Sequence, residues 1–215
     1  MYGTVFCVTK VARRRYSPRR PREERRAQLL DAALRLIDRE GFGSASIEGV
    51  AREADLAKTV VYDTFGSREE LLRALLAREQ ERALDSLAAA MPEPPLAEDP
   101  RRILTESLVT LLTAVREQPE TWRLILLPPE GTPPLVRKTV DRQRELLVRQ
   151  VEPIVAWGLK RIGAEQLESE LATQALVASC ENAIRLTLTQ PDRFPPERMA
   201  AFAADLVGAL SVRRG

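Results

Sequence analysis

The sequence predicts an all-α chain, and three observations carry that prediction. Apolar residues recur at three- and four-residue spacing in almost every segment, no segment alternates with the two-residue period of a half-buried strand, and prolines and glycines punctuate the chain at helix-length intervals. No internal repeat is visible. A length of 215 residues suits one large or two small domains. Hydrophobic residues at 44% and charged residues at 30% describe a protein able to bury a core.

The chain opens on MYGTVFCV, which is apolar but short, with its charges after it rather than before it. It reads as a tail, or as a start assigned too early, and not as a signal peptide. Residues 9–26 are basic and broken by Pro18 and Pro21. We read residues 1–21 as a flexible basic arm carrying Arg13, Arg14, Arg15, Arg19 and Arg20. Such an arm is either a solvated tail or a segment that lies along phosphates or enters a minor groove. Next to a helix-turn-helix in the chain, the second reading gains.

A first helix follows Pro21 and runs to about Glu40, with Leu29, Ala33, Leu36 and Ile37 at the helical period. Gly41 stops it, and Phe42 is expected to pack down as an anchor. Ser44 and Ser46 offer N-caps for a second helix over roughly Ile47 to Ala54. The turn is Asp55-Leu56, where one residue must enter the left-handed region; aspartate is among the few non-glycines that tolerate it. A third helix spans about Ala57 to Phe65, with Val61 and Phe65 inward and Lys58, Thr59 and Tyr62 on another face. Two short helices crossed at a tight turn make residues 46–65 a helix-turn-helix candidate. Ser67 with Glu70 forms a capping box for a long fourth helix, from Arg68 to about Ala90. Beyond the proline-rich break after it, helices are expected near 100–117, 119–127, 133–162, 165–190 and 195–212.

Charge and residue usage narrow the function. Residues 1–78 carry 16 basic against 11 acidic side chains, and the remainder 17 against 20, so the basic surplus surrounds the helix-turn-helix. The sequence has no histidine, which removes histidine acid–base catalysis and the commonest metal ligand together. Cys7 and Cys180 form neither a metal-ligand spacing nor a disulfide framework, and their usage fits a reduced, cytoplasmic protein. No apolar run reaches the roughly 18–20 residues that span a bilayer. Neither an enzyme nor a cofactor is implied.

From Arg22 to about Arg82, roughly a quarter of the chain, the sequence resembles the tetracycline-repressor (TetR) family of transcriptional regulators. The runs LLDAALRLIDREGF, SIEGVAREADL and KTVVYDTFGSREELL carry the resemblance. It implies a DNA-binding head at 22–82 and a ligand-binding and dimerisation body at 83–215. It further implies a homodimer on double-stranded operator DNA, most often a repressor, released by a small-molecule effector. Control by a protein partner or by the protein's own concentration, without a ligand, is the alternative. By the same resemblance, Ser46 stands where a hydroxyl meets phosphate. Lys58 and Thr59 open the recognition helix, Tyr62 reaches the backbone, and Arg68 places a positive charge near phosphate. Thr64 replaces a common histidine and is kept among the DNA-facing residues. The chain departs from the family pattern at the turn glycine, which is Asp55, and at Ala57 and Asp63. Asp63 either accepts from a cytosine amino group or faces solvent, and solvent is preferred because a carboxylate near phosphate costs energy.

In the body, a tryptophan such as Trp122 is usually core filling; it also lies on a short helix between prolines, where the family's pocket is expected, with Leu108, Leu111 and Leu126 as apolar neighbours. Cys180, Glu181 and Asn182 interrupt the apolar run of the eighth helix; Cys180 and Asn182 are read either as ligand or cross-dimer contacts or as partly exposed residues of the helix surface. The last two helices carry wide apolar faces that need a partner. Leu176, Ile184, Phe202, Leu206 and Leu210 are the interface candidates. A two-fold dimer would read a roughly palindromic site.

Overall fold

The computed structural model describes residues 21–93, 99–127 and 134–212. Among them the chain forms nine α-helices and no strand. They are α1 (Arg22–Glu40), α2 (Ile47–Glu53), α3 (Lys58–Phe65), α4 (Arg68–Ala90), α5 (Pro100–Glu117), α6 (Pro119–Leu126), α7 (Pro134–Arg161), α8 (Ser169–Thr189) and α9 (Pro196–Val212), with one 3-10 turn at Phe42–Ser44.

Local chemistry sets most of the boundaries. Gly41, at φ 79°, closes α1, its N–H reaching the Ile37 carbonyl at 2.8 Å. The Ser67 side chain caps α4 by accepting from the Glu70 N–H at 3.2 Å, and the Asp99 side chain caps α5 by accepting from Arg101 at 3.0 Å. Prolines stand at the first positions of α5 and α6, where a missing N–H is harmless. One expected boundary moves: α8 begins at Ser169 rather than near 165. Gly163 enters the left-handed region at φ 70°. The Ala164 N–H then bonds Leu159 at 2.8 Å and the Gly163 N–H bonds Lys160 at 3.2 Å. That Schellman closure and the buried Ala164 hold residues 164–168 in turns.

Two apolar cores result. The head core gathers Leu29, Leu36 and Ile37 of α1, Phe42, Val50 of α2, Val61 and Phe65 of α3, and Leu71 and Leu75 of α4. The body core gathers Ala83 and Ala90 of α4, Leu108, Leu111, Leu112 and Val115 of α5, and residues of α8 and α9. Helix α9 lies along α5, and α7 and α8 pack against each other.

Helix α6 belongs to both cores. Leu124 is buried in the head core, although the sequence places α6 wholly in the body, and Trp122 is buried in the body core. Between and beside them, Arg123 pairs with Asp38 of α1 at 2.9 Å, and the Thr121 hydroxyl donates to Glu79 Oε2 of α4 at 2.6 Å. At about 100° per residue, four consecutive side chains on one helical turn thus face four different partners. Burying a leucine such as Leu124 contributes about 2 kcal/mol.

Glu79 is fully buried, at a core-facing position between Leu75 and Ala83. Arg78 Nε meets Oε1 at 2.7 Å, Arg82 Nη1 meets Oε2 at 3.4 Å, and Arg78 Nη1 continues to Asp31 of α1 at 2.7 Å. Removing one member of such a buried set leaves the others uncompensated. Glu79→Ala is therefore expected to lower unfolding free energy by about 3–5 kcal/mol. Thr121→Val, which removes a hydrogen bond to a charged group, is expected to lower it by about 2 kcal/mol. Denaturant unfolding followed by far-UV circular dichroism measures both, and parental stability in either variant contradicts this assignment.

Candidate nucleic-acid interface

The helix-turn-helix is closed by aspartate. Asp55 has φ 52°, the single non-glycine with positive φ among the described residues. Around it the Leu56 N–H reaches the Ala51 carbonyl at 2.9 Å and the Asp55 N–H reaches Arg52 at 3.2 Å, another Schellman closure. Gln28 of α1 donates to the Ala54 carbonyl at 2.9 Å, satisfying an acceptor that the end of α2 leaves open. At the other end of α2 the Ser46 side chain accepts from the Gly49 N–H at 3.0 Å. A Cβ on Gly49 would stand 2.5 Å from the Ser44 carbonyl oxygen, so the close entry to α2 requires glycine here.

Val61 and Phe65 turn inward and anchor α3 in the head core. Lys58, Thr59, Tyr62 and Asp63 remain exposed on the other side, with Tyr62 at 46%. Lys58 is not idle in the free protein. Its ammonium pairs with the Glu48 carboxylate of α2 and stands 5.6 Å from the centre of the Tyr62 ring. The hydrogen bond with Glu48 holds the Lys58 pKa above its ordinary range, and the same bond holds the Glu48 carboxyl below its own. Both groups are therefore charged at neutral pH. An exposed pair of this kind adds little to folding and yields readily to a competing anion.

The remaining expected contacts fare differently. Ser46 uses its oxygen as a helix cap. The Thr64 hydroxyl donates to the Val60 carbonyl at 2.6 Å and is occupied within its own helix. Arg68 donates from Nε to the Ala45 carbonyl at 2.9 Å and from Nη2 to the Phe42 carbonyl at 2.6 Å. It thereby ties the start of α4 to the segment ahead of α2, while its side chain stays at the surface. Arg13, Arg14, Arg15, Arg19 and Arg20 lie outside the described residues. The sequence points to neither Glu48 nor Gln28, because no spacing ties either residue to its partner across the fold.

In the body, Leu108, Leu111 and Trp122 are buried together, and Leu126 and Cys180 pack against them half-buried. Burial pushes the Cys180 thiol up to about 11, so it stays protonated and uncharged. Asn182 does not join this group. Two residues from Cys180 is about 200° around a helix, which puts Asn182 on the exposed side of α8. Ile184, expected on an open face, is buried in the protomer's own core because α8 turns it toward α5 and α6. Phe202 and Leu206 stand open on α9 at 65% and 55% exposure, as does Leu171 on α8 at 64%. Leu176 is half-buried, and the side chain of Leu210 lies outside those described.

Known proteins share this geometry. The profile of bacterial regulatory proteins, tetR family, matches residues 29–75, from the buried half of α1 into α4. The transcriptional activator FasR of Mycolicibacterium smegmatis is 26% identical over 170 residues, 79% of this chain and 75% of FasR. The nicotine-responsive repressor HdnoR of Paenarthrobacter nicotinovorans is 43% identical, but over only 25% of this chain and 28% of its own length. Among solved structures, a TetR-like regulator from a Rhodococcus species superposes with a TM-score of 0.69 at 27% identity, covering 91% of this chain and 97% of that one. FadR of Bacillus subtilis in complex with stearoyl-CoA shares the fold, with a TM-score of 0.63 at 14% identity over 84% of this chain and 96% of its own. The matched profile spans the turn that Asp55 closes, the architecture agrees from the head through the helical body, and the chain belongs to the TetR family of DNA-binding transcriptional regulators.

Proposed function

We propose that this regulator binds a near-palindromic operator as a homodimer, and acts as a repressor that a small apolar effector releases. The observation that carries the proposal is the placement of α6. One turn of that helix puts Trp122 in the body core, Leu124 in the head core and Thr121 on Glu79 of α4. A molecule that displaces Trp122 cannot leave the other two contacts unchanged, because one rigid turn bears all three. The head then shifts relative to α4, and two heads set for one half-site spacing lose it.

Recognition is assigned to Lys58, Thr59 and Tyr62, with the Ser46 hydroxyl and the basic arm on phosphates. A phosphate displaces Glu48 from Lys58 at little cost, since the pair is exposed. The exposed Phe202, Leu206 and Leu171 support pairing with a second copy, whose identical faces would cover them about a two-fold axis. Asn182, on the same exposed side of α8 as Leu171, fits a cross-dimer hydrogen bond better than a ligand contact. The apolar surroundings of Trp122 support an effector with a substantial hydrocarbon part, the kind of group carried by the stearoyl-CoA in the FadR structure.

Selection from random DNA tests the reading directly. The expected motif is an inverted repeat whose half-sites lie about one helical turn or a multiple apart; a motif without two-fold symmetry counts against it. On that operator, Lys58→Ala should weaken binding about tenfold and lower the salt slope by about one phosphate contact, roughly 0.9 per subunit. Tyr62→Phe should weaken binding about threefold to tenfold through loss of one hydrogen bond. Unchanged affinity in both would remove α3 from the interface. Leu206→Glu should convert the sedimenting species to a monomer with a folded head, and a variant that still sediments as a dimer places the interface elsewhere.

A further inference from the structure

Hydroxyl groups on these helices commonly return a hydrogen bond to the carbonyl four residues back. Thr64, Ser86, Thr105, Thr173, Ser179 and Thr189 all do so. Thr187 does not. It is 2% exposed, and its buried hydroxyl has no hydrogen-bond partner among the described residues. Thr187 lies three residues after Ile184 and four after Ala183, so it shares the face of α8 that both of them turn into the body core.

Trp122 supplies a second such group. The indole is 3% exposed, and its Nε1–H likewise finds no acceptor among the described residues. A buried donor left unpaired costs about 1–3 kcal/mol, so two of them bordering one apolar cluster are unexpected unless something else satisfies them. The two helices that bear them, α6 and α8, pack against each other. Around them the cluster is Leu, Ile, Val, Ala and Met, with the Cys180 thiol beside it. The one carboxylate buried nearby, Glu79, is already held by Arg78, Arg82 and Thr121. None of the buried residues of the cluster is a cation, and Arg78, which also has a buried and unpartnered Nη2, is engaged by Glu79 and by Asp31 of α1.

We propose that Trp122 Nε1–H and the Thr187 hydroxyl are the polar contacts of the effector site, and that they select an uncharged, largely apolar molecule bearing a hydrogen-bond acceptor such as a ketone, ester or thioester carbonyl. The inference rests on the effector-release reading above and adds the chemistry of the ligand to it. Trp122 donates from α6 and Thr187 donates from α8, so a carbonyl acceptor at either group would pair a donor that the free protein leaves unsatisfied. A carboxylate would need a counter-charge that the cluster does not supply, and an ammonium would find no acceptor other than the Thr187 oxygen. Binding at this point also loads the α6 turn that carries Leu124 and Thr121.

The test has two arms, both on the full chain. In the first, Thr187→Val replaces an unpaired buried hydroxyl by a methyl of similar shape. The melting temperature of the free protein should hold or rise; a fall of more than about 2 °C means that the hydroxyl is bonded in the free protein and overturns the proposal. In the second, thermal shift and operator binding are measured with 2-nonanone, nonanoate and nonylamine as probes. The ketone should raise the melting temperature and weaken operator binding, and Trp122→Phe and Thr187→Val should each reduce its affinity about fivefold to tenfold. Ketone affinity unchanged in both variants overturns the proposed contacts. A response to nonanoate or nonylamine in place of the ketone overturns the neutral-acceptor class and leaves effector release standing. If none of the three alters melting or operator binding, the proposed contacts are overturned, while effector release is judged separately by whether any member of a broad compound library weakens operator binding.

Discussion

A carboxylate with no access to water sits where the head meets the body. Glu79 of α4 is reached by Arg78 and Arg82 of its own helix and by Thr121 of α6, and Arg78 passes the contact on to Asp31 of α1. Three helices thus converge on one buried charge. An ion buried without partners is far costlier than one held by them, so the low-energy arrangements of α1, α4 and α6 are those that keep this set closed. Hydrophobic packing alone would let α6 slide, since leucine against leucine is tolerant of small displacements. The charged set supplies the direction that packing lacks. With α6 held this way, Leu124 enters the head core and Trp122 enters the body core. The two cores therefore share α6 as a common wall.

The head is built on small local devices, most of them acting within a few residues. Asp55 closes the turn at positive φ, Gly49 admits the Ser44 carbonyl, and Arg68 binds two carbonyls ahead of α2. None of these needs an outside partner, yet together they fix the angle at which α3 leaves the surface. That angle, more than any single side chain, decides what α3 can meet.

Much of the fold was legible because helix ends are chemically local. Prolines, glycines and capping serines announce them, and the expected spans agree with the observed ones except at α8, where a buried Ala164 and a Schellman turn delay the start. The left-handed Asp55 and the anchoring Phe42 could be read the same way. What stayed hidden depends on which faces meet. In the sequence Glu79 is one of many charges along a long helix, although its place between Leu75 and Ala83 on the inward stripe is a usable clue. Leu124 and Trp122 are two residues apart, and no periodicity says that they serve different cores. Ile184 belonged to an apolar face wide enough for either a core or an interface, and only the packing of α8 on α5 and α6 decides between them. Arg68 and Lys58 were recognisable as cations, but the carbonyls and the carboxylate that engage them arrive from other parts of the head.

The Glu48–Lys58 pair has a consequence for how such a protein searches a chromosome. With Lys58 engaged, the tip of α3 presents a neutral dipole instead of a bare cation, and the nearby Asp63 adds negative charge. With Lys58 assigned to DNA as proposed, an encounter with arbitrary DNA must first exchange Glu48 for phosphate, and so gains less from counterion release than a free ammonium would. Weaker binding everywhere shortens each stop on arbitrary DNA, and under the same proposal the operator offsets the loss with base contacts that arbitrary sites lack. Under the proposed assignment of Lys58 to phosphate, that exchange is made at every site alike, so the pair trims affinity evenly and leaves the choice among sites to base contacts.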